Sequence, residues 1–372
     1  GRLSEGSVLD VKTEPSDWNT FDGLALCGYS GRLAKGATTM VNVGMWARAV
    51  RAIPRISREE WDALDVISRW LIASRSAVLV MTFVSSALAG LLAWRDGAFQ
   101  FGSWAVLTVG LLLAHATNNL VNDFTDHWKG VDRDNYFRAQ YGPQPLEHGL
   151  LSQGQMLQYI AVTGALASVA GLTLIFWRGE VVLWLTLVGA FFVLFYTWPL
   201  KYVGLGEVAV LLVWGPLMVG GGYYVITGGW RPGVLWASLP VALTATAVLF
   251  GKHIDKIEAD RAKQIRTLPV LLGESRARLV ALGLCTAAYA VTFALIATGE
   301  LGWPLLVVLG AFSWYRLAFH VFRQPRPASP PPEYPANVWP LWYSAFAFQH
   351  TRRFGTLYLA GMFLDAVLRH IQ

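Results

Sequence analysis

Asn118, Asn122 and Asp126 recur at i, i+4 and i+8 within an apolar stretch, so on a helix they make one polar stripe. Amides and carboxylates among apolar residues are costly unless they face a cavity or a partner. Hard oxygen donors grouped at a helix end suit Mg²⁺, which takes one or two carboxylates and completes its shell with water and substrate phosphate. The same stripe would also serve as a polar seam between packed helices. A second acidic segment, Lys252-His253-Ile254-Asp255-Lys256-Ile257-Glu258-Ala259-Asp260-Arg261, ends another apolar run and leads to Arg266-Thr267-Leu268-Pro269. Charge-rich loops are common. Two acidic clusters at corresponding helix ends nevertheless hint at an internal repeat that brings both to one cavity.

The elements that must hold these residues are membrane helices. Of 372 residues, 54% are hydrophobic and only 15% charged, against roughly 25% charge in ordinary soluble domains. Residues 76–94, 181–197 and 279–297 contain no charge, over about the length a hydrocarbon core requires. A soluble bundle would interrupt such runs with charged outer faces, so a soluble fold is excluded. Hydropathy places spans at about 76–94, 103–126, 156–177, 181–197, 205–226, 233–252, 279–297, 303–322 and 355–369, about nine in all. Lysine and arginine gather in the loops of the N-terminal side, from Lys129 and Lys201 to Lys256, Lys263, Arg326 and Arg352, while the opposite loops offer Arg95, Arg178 and Arg231. The positive-inside rule puts the acidic helix ends on the cytoplasmic side or its organellar equivalent.

Residues 1–55 lack a sustained period and read as an extramembrane extension, a candidate contact for a membrane-complex partner. Ser57-Arg58-Glu59-Glu60 has the capping-box pattern, and Ile56 and Trp61 are spaced as a hydrophobic staple. A helix is expected from there, and 56–75 reads as an interfacial amphipathic helix, with Trp61, Leu64, Val66, Ile67, Trp70 and Leu71 toward the membrane. Residues 76–372 form the transmembrane domain, interrupted by a proline-dense linker at 325–335. Cys285 lies within an apolar helix and reads as a small core residue, and with Cys27 it implies no disulfide framework.

The run Asn122-Asp123-Phe124-Thr125-Asp126-His127-Trp128-Lys129-Gly130-Val131-Asp132 resembles the first Asp-rich motif of the UbiA superfamily of intramembrane prenyltransferases, and its Gly-Val-Asp ending is similar to the menaquinone (dihydroxynaphthoate) branch. Tyr196-Thr197-Trp198-Pro199-Leu200-Lys201, Gly204-Leu205-Gly206-Glu207, Trp214-Gly215-Pro216-Leu217 and Asp260-Arg261 through Gly273 support it, as does Arg75 before the first span. The resemblance covers roughly 70–370 and implies an all-α bundle of about nine transmembrane helices around a central cavity. It implies that Asn122, Asp126, Asp132 and Asp260 bind Mg²⁺ and the diphosphate of an isoprenyl donor. Arg75, Lys201 and Arg266 would neutralise diphosphate oxygens, and Tyr196 would stand near the ionising carbon. The partners expected are a polyprenyl diphosphate, an aromatic quinone precursor and the lipid bilayer, with no nucleic acid. Aromatic faces tolerate a developing carbocation, and Tyr196, Trp214, Tyr223 and Tyr224 are candidates.

The second motif departs from the family pattern, because Lys256 stands where an aspartate is usual. Lys256 and Asp260 at i and i+4 can pair with each other. Either the ammonium replaces a metal, or Asp255 and Glu258 supply ligands in shifted register, or catalysis is weakened. The alternative is a relative serving as a structural or lipid- or quinone-binding subunit.

Overall fold

A computed structural model of the chain describes residues 41–131, 142–332, 334 and 339–371. Asp132 and residues 1–40 lie outside the described residues. Three short helices come first: α1 (Val43–Arg51), α2 (Arg58–Asp62) and α3 (Val66–Ala73). The bundle follows as α4 (Ser76–Arg95), α5 (Phe101–Trp128), α6 (Gln153–Arg178), α7 (Glu180–Phe195), α8 (Gly206–Thr227) and α9 (Pro232–Asp255). Two short turns of helix, α10 (Ile257–Ala262) and α11 (Leu268–Leu272), lead to α12 (Glu274–Ala297), α13 (Trp303–Arg323) and α14 (Tyr343–Ile371). No strand occurs among the described residues.

Seven of these helices, α4 to α6, α8, α9, α12 and α13, are long and apolar enough to cross a membrane. The other two expected spans fall on α7 and α14. Helix α7 is apolar but has 16 residues, a rise of about 24 Å. Helix α14 has 29 residues and carries Arg352, Arg353 and Asp365. Length and hydropathy therefore certify seven spans among the described residues. Large apolar side chains such as Leu166, Leu172, Phe176, Trp184 and Phe191 on α6 and α7 are exposed, as lipid-facing groups of an integral membrane protein are.

Helix α8 is interrupted at its centre. Residues Val213–Gly220 are wound as a π-helix around Pro216, which has no N–H for the regular ladder. Gly215 permits the close crossing of α9, since a Cβ there would stand 2.8 Å from the Ala242 Cβ. The carbonyl of Trp214 accepts from Ser85 Oγ at 3.0 Å, which ties α8 to α4.

The N-terminal segment differs from expectation. The capping box forms, with Ser57 Oγ accepting from Glu60 N and Glu60 Oε2 accepting from Ser57 N. The helix then stops after one turn, and Asp65 restarts it by capping α3. Trp61 and Leu64 are buried in a cluster with Met45, Ala49, Ile72 and Leu120, while Val66 and Ile67 are exposed. The staple tryptophan thus belongs to the core, because α1 covers it. Part of the presumed extension is consequently packed against the bundle.

Candidate active site

The charged ends of α5 and α9 lie at the same end of the bundle, joined where Lys263 Nζ donates to the Val131 carbonyl. Arg266 N donates to Tyr202 O at 3.3 Å, which ties the segment after α9 to the turn between α7 and α8. Beneath this end is a cavity of about 650 Å³ walled mostly by apolar residues of α4 to α9. Arg75, Asn119, Asn122, Tyr196 and Lys252 are its polar rim.

Arg75 reaches the rim through an unusual backbone. Its φ of 55° puts a non-glycine residue in the left-handed region between α3 and α4, a conformation kept only where the surroundings hold it. Its Nη2 donates to Asp123 Oδ1 at 2.6 Å and to the Asn119 carbonyl at 3.1 Å. Lys201 follows the turn after α7, its N bonded to the Tyr196 carbonyl at 3.0 Å. Its Nζ lies 2.9 Å from both carboxylate oxygens of Asp126. All four charged groups are buried, so each pair offsets a desolvation that neither partner would tolerate alone.

The polar stripe of α5 divides its work. Asn118 Nδ2 donates to Val193 O at 2.8 Å and Asn119 Nδ2 to Ser74 O at 2.9 Å, which fixes α5 against α7 and α3. Asn122 lines the cavity rim and Asp126 meets Lys201. The stripe is therefore seam at one end and site at the other. Its continuation, three residues inward of Asn118, is His115, also on the cavity wall.

The second acidic segment splits as well. Asp260 is buried, with Oδ1 accepting from Lys256 Nζ at 2.8 Å and Oδ2 without a hydrogen-bond partner among the described residues. Asp255, offered by the sequence as a catalytic group and shifted ligand, instead caps α14. Its oxygens accept from Tyr343 N, Ser344 N and Ser344 Oγ at 2.9, 3.0 and 2.6 Å. It does not line the cavity. Glu258 is exposed and pairs with Arg261 at 2.7 Å, and Arg266 is exposed and off the cavity wall. Of the ring candidates, Tyr196 and Trp214 line the cavity. Tyr223 bonds Asp96 at 2.8 Å and Tyr224 packs on Trp230, both at the opposite end of the bundle.

Sequence reading did not single out Asp123, Glu207, His253, Lys252 or His115. Glu207 accepts His253 Nδ1 at 2.6 Å and Leu268 N at 3.3 Å, binding α8 to α9 and α11. Asp123 sits inside the first motif, and His115 precedes Asn122 by seven residues, two helical turns; that spacing was the available signal. Among the described residues no three His, Cys, Asp or Glu side chains group closely enough to hold a metal alone. The oxygens of Asn122, Asp126 and Asp260 are nonetheless the hard donors Mg²⁺ takes when phosphate and water complete its shell. The open Oδ2 of Asp260 fits that use.

Residues 83–345 match the model of the UbiA prenyltransferase family. The chain is 31% identical over 221 residues to a 1,4-dihydroxy-2-naphthoate octaprenyltransferase of Escherichia coli (strain K12), covering 56% of this chain and 70% of that protein. Its fold is similar to the apo structure of a UbiA homolog from Aeropyrum pernix K1, with TM-score 0.57, 18% identity and coverage of 77% and 97% of the two chains. It is also similar to a UbiA homolog from Archaeoglobus fulgidus bound to DMAPP and Mg²⁺, with TM-score 0.51, 15% identity and coverage of 80% and 99%.

Proposed function

This chain belongs to the UbiA prenyltransferase family, and within that family we propose that it transfers a polyprenyl group to an aromatic quinone precursor in a Mg²⁺-dependent reaction. The observation that carries this reading is the cavity itself. An apolar chamber of about 650 Å³ opens onto a rim where Arg75, Lys252 and Asn122 stand beside the Lys201–Asp126 pair. A polyprenyl diphosphate has the same division, an apolar tail and a multiply charged head. The dihydroxynaphthoate relative suggests the acceptor class.

In this reading Asn122, Asp126 and Asp260 hold Mg²⁺ at the diphosphate, and the ion supplies charge neutralisation to the leaving group when bound. Arg75 and Lys201 orient the diphosphate and meet charge that grows as the allylic C–O bond breaks and its electron pair leaves with the diphosphate. The Tyr196 ring stands at the same rim, where its face would stabilise the allylic cation. A carbon of the acceptor ring forms the new C–C bond, and the ring regains aromaticity by losing a proton to solvent or a base. The apolar walls keep water from the cation. The placement of the acidic ends on the cytoplasmic side, or its organellar equivalent, is part of the proposal.

A second reading has one observation behind it. The Lys256–Asp260 pair at 2.8 Å occupies an oxygen that a second metal would need. On that reading the chain binds prenyl or quinone lipid without turnover and serves a membrane complex. The test is turnover by the purified chain with a panel of prenyl diphosphates and dihydroxynaphthoate or hydroxybenzoate acceptors. Product formed with Mg²⁺ and lost with EDTA supports prenyl transfer; tight binding with no product under any pairing favours the second reading.

A further inference from the structure

Among the described residues one imidazole, that of His115, lines the cavity wall. His115 lies seven residues before Asn122 on α5, about 10 Å deeper along the helix axis. Its Nδ1 is 2.8 Å from Thr82 Oγ1 of α4, a fully buried hydroxyl. Trp214 of α8 meets the imidazole edge-on, with ring centroids 5.3 Å apart and planes at 89°. Trp214 is itself held by the π-wound segment and by the bond from Ser85 to its carbonyl. Three helices thus fix one histidine ring, and with Nδ1 engaged the nitrogen left to the cavity is Nε2. Thr117 and Ser168 also line the chamber, but they return their hydroxyls to their own helices, at Leu113 O and Gly164 O.

We propose that His115 and Trp214 form the subsite for the acceptor: Nε2 of His115 hydrogen-bonds a ring hydroxyl while the Trp214 indole packs on the aromatic ring. This rests on the prenyl-transfer reading for its choice of ligand class, an aromatic ring bearing a free hydroxyl. A hydroxyl both donates and accepts, so the contact forms whichever tautomer Thr82 selects. A polyprenyl tail, which has no polar atom, gains nothing from an imidazole at that depth, whereas a buried ring nitrogen facing a cavity without a partner is costly. His115 is therefore a binding residue for the acceptor, and Thr82 is a positioning residue behind it.

The experiment measures anaerobic binding of 1,4-dihydroxy-2-naphthoate and of 2-naphthoate, which lacks both hydroxyls, to the full chain in detergent. Wild type should prefer the dihydroxy compound about tenfold, the scale of one net hydrogen bond. His115→Phe should reduce the preference to within twofold, His115→Gln should retain part of it, and Thr82→Val should fall between. Binding of a prenyl diphosphate with Mg²⁺ should stay within twofold in all three variants, which reports that the fold is intact. Equal binding of the two naphthoates by wild type, no binding of either, or a preference that survives His115→Phe overturns the subsite. If the His115-dependent preference stands but no prenyl product forms, the subsite holds and the transfer reading falls.

Discussion

Lys201 places its Nζ 2.9 Å from both oxygens of Asp126, a residue 75 positions earlier, with both side chains buried. A cation so placed neutralises a carboxylate that would otherwise be buried as a lone charge. Lys201→Met should destabilise the apo protein by about 3–5 kcal/mol, because it leaves a buried carboxylate unpaired. Adding Asp126→Asn should recover most of that loss. Thermal or denaturant unfolding in detergent checks it, and additive losses would mean that the pair is not coupled. Asp126→Ala should erase the difference between prenyl diphosphate binding in Mg²⁺ and in EDTA.

The Lys256–Asp260 pair, at 2.8 Å, makes a prediction about metal count. An ammonium is a monovalent donor, whereas Mg²⁺ imposes octahedral order. Lys256→Asp should raise the number of Mg²⁺ ions bound with prenyl diphosphate by one. Lys256→Ala should weaken diphosphate binding several-fold. Calorimetry on the three proteins decides, and two ions already bound by wild type with an inert Lys256→Ala would remove Lys256 from the site.

Asp255 should behave as a cap. Asp255→Ala strands two buried N–H groups at the start of α14 and should cost about 2–3 kcal/mol of stability. Prenyl diphosphate affinity in Mg²⁺ should stay within twofold of wild type. An affinity loss above tenfold in protein that remains folded would return Asp255 to the metal site.

Asp65 ties α1 to α3, accepting from Trp46 Nε1 at 3.1 Å, from Asn42 N at 3.3 Å and from Ser68 N and Oγ at 3.0 and 2.5 Å. Burial would raise its pKa, yet the hydrogen bonds from Ser68, Trp46 and Asn42 outweigh it and hold the carboxyl lowered from 3.8 to about 2. A folded pKa below the unfolded one gives stability that is full above about pH 4 and is lost as pH falls through about 2. A spin label at Val50→Cys, on the exposed side of α1, should be immobilised at pH 6 and progressively freed between pH 4 and 2. Asp65→Ala should free it at pH 6. A label equally mobile in both proteins would show that the cap does not hold α1.

Membrane sidedness is testable with cysteines at Thr125 and Ala259, near the ends of α5 and α9, in an otherwise Cys-free chain. Both should react with an impermeant maleimide from the N-terminal side. Labelling from opposite faces would contradict the bundle end that Lys263 and Val131 share.

Composition alone determined that this chain lives in a membrane, because long uncharged runs leave a helix no water-facing side. Motif spacing also determined that Asn118, Asn122 and Asp126 share one face of α5, since positions four apart on a helix do so whatever the tertiary structure. The pairing of Lys256 with Asp260 was legible for the same reason. Local rules stopped at contacts between distant segments. Asp255 and Asp260 look alike in sequence, and only the arrival of α14 made the first a cap. Gly251 shows how close that arrival is, for a Cβ there would lie 2.8 Å from backbone atoms of Tyr343 and Ser344. Trp61 reads as an interfacial anchor until α1 folds over it, and Tyr223 reads as an active-site ring until Asp96 claims it at the far end. Period and propensity fix which face of a helix a residue occupies; which neighbour meets that face depends on packing between segments tens to hundreds of residues apart.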